Sequence, residues 1–277
     1  MKIAIQGEMG SNSHMAAVAM LPDLRSLEIV ACTVSSEVMA KVVEGSVDGA
    51  VLPIENSLHG SVAEHYDLLL ELPVRIERES LLRIRHNMIA APGVKLESVR
   101  RVMSHPVALS QCRKFFAAHP EFEVVPFYDT AGSVKHVMAE GLRDTAGLAP
   151  ELAASWYGAE VLLAGVEDHA DNYTRFHLIR RDDAGEGDFG PSGEANKMSI
   201  AFAIDHRPGT LVAALERLAK AGVNLTKIES RPVPGSPWEY VFYVDARFDS
   251  RERAEAALVA LREHCRMVKV LGRYRAA

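Results

Sequence analysis

The hexapeptide Asp171-Asn172-Tyr173-Thr174-Arg175-Phe176 follows one short apolar run, Val161–Val166, and leads into a second, Phe176–Ile179. Both runs are typical of β-strands, so the pattern predicts a polar loop held between two strands, which is a common place for binding residues. Arg175 can hold a carboxylate through two parallel hydrogen bonds, and the Thr174 hydroxyl can donate a neutral hydrogen bond beside it. Taken alone, the hexapeptide also fits an ordinary turn with a surface arginine, so its interpretation depends on the rest of the chain.

Composition and charge argue against several classes of protein. The chain has 277 residues, which is enough for two domains, and its net charge of -6 disfavours nucleic acid as a partner. No apolar run reaches the length of a membrane span, and Met1–Gly7 is typical of a strand and turn, not of a signal peptide. The cysteines Cys32, Cys112 and Cys265 form no CxxC pair, which is typical of reduced thiols. We therefore predict a soluble, cytoplasmic protein with no membrane or nucleic-acid partner.

The N-terminal part of the chain alternates strands and helices. Ile3–Ile5 is followed by a glycine turn, Gly7–His14, and then by the helical run Met15–Met20. A turn that opens a helix presents unpaired N–H groups and suits an anion, but the GxGxxG pattern is missing, so we predict no dinucleotide. The alternation continues through Ile29–Cys32 and Ser36–Glu44, and it predicts an open, mostly parallel sheet.

A third predicted strand, Gly49–Ile54, leads into Glu55, Asn56 and Ser57. These residues are expected in a loop at the carboxyl end of the sheet, where sheets of this kind bind their ligands. In isolation they also fit a simple turn followed by a helix cap.

A second α/β lobe follows, with the same plan. Ser104 ends a predicted strand, Gln111 lies in a predicted helix over 107–117, and Thr130 opens a further helix. The two lobes are expected to enclose a cleft, with lobe one formed by about residues 1–73 and 165–180 and lobe two by about residues 74–164.

The C-terminal part of the chain forms a separate module. Residues 181–196 are polar and rich in glycine and acid, which predicts a linker. Residues 197–277 follow the order βαββαβ, which is the plan of a ferredoxin-like fold. The predicted fold class is therefore α/β, with a two-lobed domain over 1–180 and a ferredoxin-like domain after the linker.

Several separated motifs occur together in the order found in one family. The sequence resembles the monofunctional prephenate dehydratases, whose catalytic domain is followed by an ACT regulatory domain. The matching stretches in this chain are Gly7–Ser11 with Ser13-His14, Pro53–Ser57, Ser104–Pro106 with Gln111-Cys112, Asp129–Ala131, Asn172–Phe176, Pro208–Leu211 and Glu229–Pro232. The resemblance implies a catalytic domain like a type II periplasmic binding protein. It also implies the conversion of prephenate into phenylpyruvate in L-phenylalanine biosynthesis, without cofactor or metal, and L-phenylalanine as an allosteric effector.

The resemblance also implies roles for individual residues. Thr174 is expected to donate a hydrogen bond to the departing hydroxyl. Arg175 is expected to hold the pyruvyl carboxylate, because a cation on the departing carboxylate would stabilise the ground state. Glu55 is the second predicted catalytic residue, and it either supplies a proton or fixes the neighbouring Asn56. The other predicted substrate-binding residues are Asn56, Ser57, Ser104, Gln111, Thr130, Ser11, Asn172 and Phe176. The predicted L-phenylalanine-binding residues are Gly209, Thr210, Leu211, Asn224, Glu229 and Ser230.

Two alternatives remain open from the sequence. An arogenate dehydratase performs the same chemistry on a substrate with an amino group in place of the keto oxygen. A non-catalytic, two-lobed receptor for an amino acid or keto acid, fused to an ACT sensor, would not need Thr174 and Glu55 together. Met9, Asn12 and Thr210 depart from the family pattern. Because a ferredoxin-like sheet has open edges, we expect a homodimer or homotetramer formed through the ACT domain.

Overall fold

The computed structural model describes residues 1–21, 27–185, 189, 193–233 and 238–277. These residues form a mixed α/β structure that divides into two compact units. Unit 1 contains residues 1–61 and 81–176, and unit 2 contains residues 62–80 and 177–277. The predicted α/β class is confirmed.

Strands and helices alternate along most of the described chain. In chain order the elements are β1 (Lys2–Gln6), α1 (Asn12–Met20), β2 (Glu28–Cys32), α2 (Ser35–Glu44), β3 (Gly49–Asn56), β4 (Gly60–Ser61), α3 (Ala63–Glu71), β5 (Val74–Arg83), β6 (Asn87–Ala90), a 3-10 helix (Leu96–Ser98), β7 (Arg101–Ser104), α4 (Pro106–Ser110), α5 (Arg113–Ala118), β8 (Glu123–Pro126), α6 (Thr130–Ala139), β9 (Thr145–Ala149), α7 (Glu151–Tyr157), β10 (Glu160–Leu163), β11 (Tyr173–Arg181), β12 (Lys197–Ala203), α8 (Thr210–Lys220), β13 (Asn224–Pro232), β14 (Tyr240–Arg247), α9 (Arg251–Arg262) and β15 (Met267–Tyr274). β5 and β11 each contribute residues to both units.

The first lobe of unit 1 is built on β1, which pairs in parallel with both β2 and β3. Ile3, Ala4 and Ile5 are completely buried, as expected for a central parallel strand that is covered on both faces. The short strand β4 pairs antiparallel with the end of β3, with Asn56 opposite Gly60. Glu55 and Asn56 are therefore strand residues, and the prediction that they lie in a loop is wrong.

The second lobe of unit 1 is a sheet with the strand order β10-β6-β9-β7-β8. β7 is parallel to β8 and β9, whereas β6 is antiparallel to β9 and β10. The prediction that the second lobe repeats the parallel plan of the first is therefore wrong. Its first and last strands, β6 and β10, pair antiparallel. Val102, Ala146 and Leu148 lie in its apolar core.

The predicted helix over 107–117 is in fact two helices, α4 and α5, with Gln111 and Cys112 between them. Asp168 explains the interruption. Its two carboxylate oxygens accept hydrogen bonds from the backbone N–H groups of Arg113 and Lys114, at 3.0 and 2.9 Å. A carboxylate on the first N–H groups of a helix stabilises a new helix start. This carboxylate lies 54 residues after Lys114 in the chain, so the local pattern does not reveal it.

Unit 2 contains the ferredoxin-like arrangement predicted for residues 197–277. Its strands follow the order β13-β14-β12-β15, and neighbouring strands are antiparallel. α8 and α9 pack together, and the core between helices and sheet includes Phe202, Leu218 and Leu258. The βαββαβ prediction is confirmed. Within the predicted linker, residues 186–188 and 190–192 lie outside the described residues, and the domain boundaries at 180 and 197 stay predictions.

β5 extends the sheet of unit 2 through a close contact with β15. The two strands are parallel, with Ile76 opposite Gly272. A Cβ atom at Gly272 would lie 2.4 Å from the carbonyl oxygen of Ile76, so a side chain cannot be accommodated there without movement of the backbone. The Lys197 ammonium also binds both carboxylate oxygens of Glu79, at 3.0 and 2.8 Å, and both side chains are buried. The glycine and this ion pair together hold β5 in unit 2.

Gly272→Ala is expected to lower the midpoint of thermal unfolding, because the added methyl group overlaps the backbone of Ile76. Overpacking of this kind costs about 1–3 kcal/mol. Gly185→Ala is the matched control, since nothing lies within 4 Å of a Cβ atom at that position. Calorimetry should give a clearly lower midpoint for the first variant alone, and equal midpoints would show that the β5–β15 contact does not need a glycine.

Candidate active site

Asn56 is the centre of a polar network in unit 1. Its side-chain oxygen accepts hydrogen bonds from the backbone N–H groups of Leu58 and His59, each at 3.0 Å. A peptide N–H can only donate, so the Asn56 amide nitrogen must face the other way. That nitrogen lies 2.8 Å from Asn172 Oδ1 and 2.9 Å from Thr174 Oγ1.

The Thr174 hydroxyl is oriented by this contact. The side chain is almost buried, with 8% of the residue exposed. Because its oxygen accepts a hydrogen bond from Asn56, its own hydrogen points elsewhere and is available to a ligand. Thr174 is the second residue of β11, so the prediction that it lies in a loop before the strand is wrong.

Arg175 pairs with Glu55. The guanidinium nitrogen Nη2 lies 3.3 Å from Glu55 Oε2, and the Arg175 side chain is 8% exposed whereas that of Glu55 is 36% exposed. A nearly buried cation is costly unless an anion lies beside it, and Glu55 supplies that anion. Asp168, in the polar loop before β11, caps α5.

Ser57 fastens the start of β11 to the end of β3. Its hydroxyl donates to the carbonyl oxygen of Asp171 at 3.1 Å and accepts from the Tyr173 N–H at 3.0 Å. Its backbone N–H donates to the Tyr173 carbonyl at 2.8 Å. These bonds place Asn172 and Thr174 beside Asn56.

Gln111, from the second lobe, joins the network through Asn172. The Asn172 amide nitrogen donates to Gln111 Oε1 at 2.9 Å, and the Gln111 amide nitrogen lies 3.5 Å from Asn56 Oδ1. His86 completes the arrangement, with its Nε2 atom 2.7 Å from Gln111 Oε1. Gln111, Asn172 and His86 are all buried. The structure therefore joins Asn56, Ser57, Gln111, Asn172 and Thr174 in one hydrogen-bonded network, and it pairs Glu55 with Arg175 at the adjacent positions of β3 and β11.

Four predicted substrate-binding residues have other contacts. The Ser104 hydroxyl donates to the Leu148 carbonyl at 2.6 Å, and Ser11 caps α1. Thr130 is the first residue of α6, and Phe176 is a buried apolar residue of β11. In the part of the chain that the structure describes, no hydrogen bond links these four side chains to the Asn56 network.

The glycine turn after β1 contacts the second lobe closely. Gly7 has a φ of 96°, and a Cβ atom there would lie 2.5 Å from Asp129 Oδ2. A Cβ atom at Gly10 would lie 2.7 Å from the Cα atom of Ala153. Side chains at the two glycines would therefore separate the lobes.

Burial raises the pKa of the Asp129 carboxyl, while hydrogen bonds from the backbone N–H groups of Gly132 and Glu8 act in the opposite direction.

His14 belongs to the same contact. Its Nδ1 atom accepts a hydrogen bond from the Gly10 N–H at 3.0 Å, and its ring meets the Trp156 ring edge to face at 5.1 Å. Burial lowers the pKa of His14, which agrees with a neutral ring that accepts a hydrogen bond. Its observed contacts are structural.

A cavity of about 230 Å³ in unit 1 lies beside α1. Asn12, which departs from the family pattern, lines this cavity together with Arg83, Arg85 and Glu151. The two arginines are exposed and suit an anion, whereas Glu151 adds a negative charge. None of the site residues predicted from the sequence lines it.

A second cavity, of about 250 Å³, lies in unit 2 at the start of α8. Gly209, Thr210 and Leu211 line it together with Trp238 and Arg266. The Thr210 hydroxyl lies 2.8 Å from the carbonyl oxygens of Asp205 and Arg207, so it is turned toward the backbone. The other predicted effector residues, Asn224, Glu229 and Ser230, lie on β13 and do not line the cavity.

Among the described residues, no group of three or more His, Cys, Asp or Glu side chains could hold a metal ion. Within the same part of the chain, no helix is long and apolar enough to cross a membrane.

A family model for prephenate dehydratase matches residues 3–184. The chain belongs to the prephenate dehydratase family.

Similar proteins support this assignment. An arogenate dehydratase/prephenate dehydratase from Arabidopsis thaliana is 38% identical over 284 residues, which cover 99% of this chain and 72% of the relative. A prephenate dehydratase from Arthrobacter aurescens, solved in complex with L-Phe, gives a TM-score of 0.88 at 30% identity and covers 100% of this chain and 90% of that one. GqqA, described as a novel type of quorum quenching acylase, gives a TM-score of 0.87 at 32% identity, with 100% and 98% coverage.

The sequence analysis of this family member missed His86. A single histidine beside a predicted strand has no distinctive spacing, and its partner Gln111 lies 25 residues away. Asp168 was recognised only as a loop residue, because its role as a helix cap depends on the same long-range packing. The arrangement of these residues becomes visible only when the second lobe is folded.

Proposed function

We propose that this protein is a cofactor-free dehydratase that converts prephenate into phenylpyruvate, carbon dioxide and water. The observation that carries the proposal is the Thr174 hydroxyl, whose oxygen accepts from Asn56 at 2.9 Å and whose hydrogen remains available. We assign the cation of the site to Arg175, the next residue of β11. A neutral donor next to a cation suits a substrate with a leaving hydroxyl and a carboxylate.

The reaction moves charge within the substrate. The bond between the ring and the departing carboxylate breaks, and its electron pair enters the ring. The ring C–O bond breaks with its electron pair on oxygen, and the leaving hydroxide becomes water by taking a proton. Negative charge therefore grows on the leaving oxygen, where the Thr174 hydroxyl can stabilise it by a hydrogen bond. Thr174 is far too weak an acid to transfer the proton itself, so the proton comes from solvent or from Glu55.

Arg175 holds the pyruvyl carboxylate in this proposal. That carboxylate keeps its charge throughout the reaction, so the cation binds ground state and transition state alike. Gln111 and Asn172 hold the Asn56 amide in place and act on the substrate through Thr174.

Arogenate is a second candidate substrate, and the Arg175–Glu55 pair favours it. Arogenate carries an ammonium group next to the carboxylate that Arg175 would bind. Glu55, 3.3 Å from the guanidinium and 36% exposed, could accept a hydrogen bond from that ammonium group. The relative from Arabidopsis thaliana is described as both an arogenate and a prephenate dehydratase.

An acylase activity, as described for GqqA, finds no support in the contacts of this site. His59 Nε2 lies 3.0 Å from Ser110 Oγ, which resembles a nucleophile beside its base. The Ser110 hydroxyl, however, donates to the Val107 carbonyl at 2.8 Å, so His59 approaches it as a donor. A serine in this state is not activated.

The regulatory part of the proposal concerns unit 2. We propose that residues 1–180 are the catalytic domain, 181–196 a linker and 197–277 an ACT domain that binds L-phenylalanine. The cavity at the start of α8 supports this, because the backbone N–H groups of Gly209 and Leu211 suit a carboxylate and Trp238 provides an apolar surface for a ring. The relative from Arthrobacter aurescens was solved with L-Phe bound.

The oligomeric state and location are further proposals. In the described sheet of unit 2, β13 is an edge strand that pairs with β14. Pairing of this edge between chains would protect it and bring Glu229 and Ser230 to a shared surface, so we propose a homodimer or homotetramer. Free thiols at Cys32, Cys112 and Cys265 favour the cytoplasm.

Thr174→Ala should lower kcat by about a hundredfold with little change in KM, since it removes one donor that acts in the transition state. Thr174→Ser keeps the hydroxyl and is expected to retain most of the activity. Rates of phenylpyruvate formation from prephenate measure both variants. Wild-type protein that leaves both prephenate and arogenate unchanged would favour the receptor alternative, and an effect on KM alone would make Thr174 a binding residue.

Glu55→Gln should separate the two substrates. Loss of a charge-assisted hydrogen bond to the ammonium group should lower kcat/KM for arogenate by about tenfold or more, with a smaller effect on prephenate. Glu123→Gln, at an exposed position of β8, is the control and should change neither value. Equal losses for both substrates would argue that Glu55 does not contact the amino group.

Trp238→Ala should weaken the response to L-phenylalanine while leaving turnover without the effector unchanged. Trp238 lines the cavity in unit 2 and is 76% exposed, and loss of its ring should raise the half-effective concentration by about tenfold. Val259→Ala, at an exposed position of α9, is the matched control. A titration of the rate with L-phenylalanine that is identical for wild type and Trp238→Ala would rule out this cavity as the effector site.

A further inference from the structure

A line of side-chain hydrogen bonds runs from Thr174 to a buried histidine. Asn56 Nδ2 lies 2.9 Å from Thr174 Oγ1 and 2.8 Å from Asn172 Oδ1. Asn172 Nδ2 lies 2.9 Å from Gln111 Oε1, and His86 Nε2 lies 2.7 Å from the same oxygen. His86 is 2% exposed and has almost no contact with bulk solvent.

The direction of each bond in this line follows from the backbone. Asn56 Oδ1 faces the N–H groups of Leu58 and His59 and must therefore be the oxygen. Its amide nitrogen then donates to Asn172, which must present its own oxygen.

The same logic continues to the histidine. Asn172, whose oxygen is used, donates through its nitrogen, so Gln111 must present Oε1. An oxygen at this position can only accept, so His86 Nε2 carries a proton and donates it.

We propose that His86 is a positioning residue of the catalytic site, whose Nε2–H fixes the Gln111 carboxamide and, through Asn172 and Asn56, the direction of the Thr174 hydroxyl. The inference rests on the proposed function for its catalytic consequence. Its structural part, the protonated Nε2 atom, is independent of the substrate.

The surroundings of His86 agree with a neutral ring that has a single N–H. Nδ1 is buried and has no hydrogen-bond partner in the described part of the chain. Burial lowers the pKa of His86, while the bond to Gln111 and the nearby Glu167 carboxylate act in the opposite direction. Glu167 is engaged by the His86 backbone N–H at 3.0 Å rather than by the ring. A neutral ring with the proton on Nε2 satisfies the bond to Gln111 and leaves only a lone pair at Nδ1.

His86 gives Gln111 a single stable orientation. With both Asn172 and His86 donating to Oε1, a flipped carboxamide would place its NH2 group against two donors. Without His86, the flipped amide would face one donor instead of two. The Asn172 side chain, and with it Asn56, would then lose a fixed partner. The effect on Thr174 is expected to be a change in the direction of its hydroxyl, not a loss of binding surface.

Two substitutions of His86 separate positioning from simple packing. Gln places an amide nitrogen near the position of Nε2 and can donate to Gln111, whereas Asn reaches only the position of Nδ1. His86→Gln should keep kcat within about threefold of wild type, and His86→Asn should lose about tenfold or more, the scale of one hydrogen bond, with KM little changed in both. Thermal midpoints of both variants check that they are folded. Equal kcat values at comparable stability would overturn the proposal.

A double-mutant cycle tests whether His86 acts through Thr174. In the Thr174→Ala background, His86→Asn should cost less than about twofold in kcat, because the hydroxyl that it positions is gone. Full additivity of the two losses would show that His86 acts by another route.

The ring tautomer provides a test that does not depend on activity. In protein labelled with 15N-histidine, two-bond 1H–15N spectra distinguish a protonated Nε2 from a protonated Nδ1. The His86 signals are assigned by their absence from His86→Gln. We expect the proton on Nε2, and a proton on Nδ1 alone would overturn the proposal. If the tautomer is as expected but neither prephenate nor arogenate is turned over, the proposed function fails while the arrangement of His86 stands.

Discussion

The N–H groups of Leu58 and His59 set the orientation of the Asn56 amide at one end of a line of three amides, as His86 does for Gln111 at the other end. Both donate to Asn56 Oδ1, and both exist in this position because β4 turns back to pair with β3 at Gly60. A flipped Asn56 amide would place its NH2 group against both N–H donors and lose two hydrogen bonds, each with a net contribution of about 0.5–1.5 kcal/mol. A short antiparallel pair of strands thus sets the direction of the Asn56 amide that meets the Thr174 hydroxyl.

The charged residues of the site are stabilised by an ion pair and not by the network of neutral hydrogen bonds. The protein carries a net charge of -6, yet Arg175 is nearly buried. Glu55 makes this possible because it offsets the cation locally, and its greater exposure keeps part of its hydration. The Asn56 network, by contrast, is built from uncharged side chains.

Local signals in the sequence predicted much of this structure. The glycine turn before α1, the strand that ends in Asn56 and the βαββαβ order of residues 197–277 depend on short-range patterns of apolar residues and turn residues. The family motifs also indicated Asn56, Gln111 and Thr174. What the sequence could not reveal depends on contacts between distant segments. Thr174 lies in a strand because Ser57 fastens Tyr173 to β3 across 116 residues.

Long-range packing explains the other differences as well. Asp168 divides a helix that looked continuous, and the resulting break between α4 and α5 leaves Gln111 at a helix end, where its amide reaches Asn172. His86 acquires its position only by meeting Gln111. In unit 2, Gly209–Leu211 could be recognised from one turn. Trp238 lies just before β14 and Arg266 just before β15, so no short motif connects these two cavity residues with that turn.

The neutrality of the Asn56 network suits the reaction proposed for this site. As carbon dioxide leaves, charge disappears from one carboxylate and grows on the leaving oxygen. A cation close to both groups would stabilise the start and the transition state together, and it would gain little in rate. A neutral donor that points at the leaving oxygen gains strength only as charge develops there, and one such donor contributes about a hundredfold to a thousandfold. Its effect depends on direction, so in the proposed mechanism a line of amides orients one hydroxyl, and the charge of Arg175 serves substrate binding.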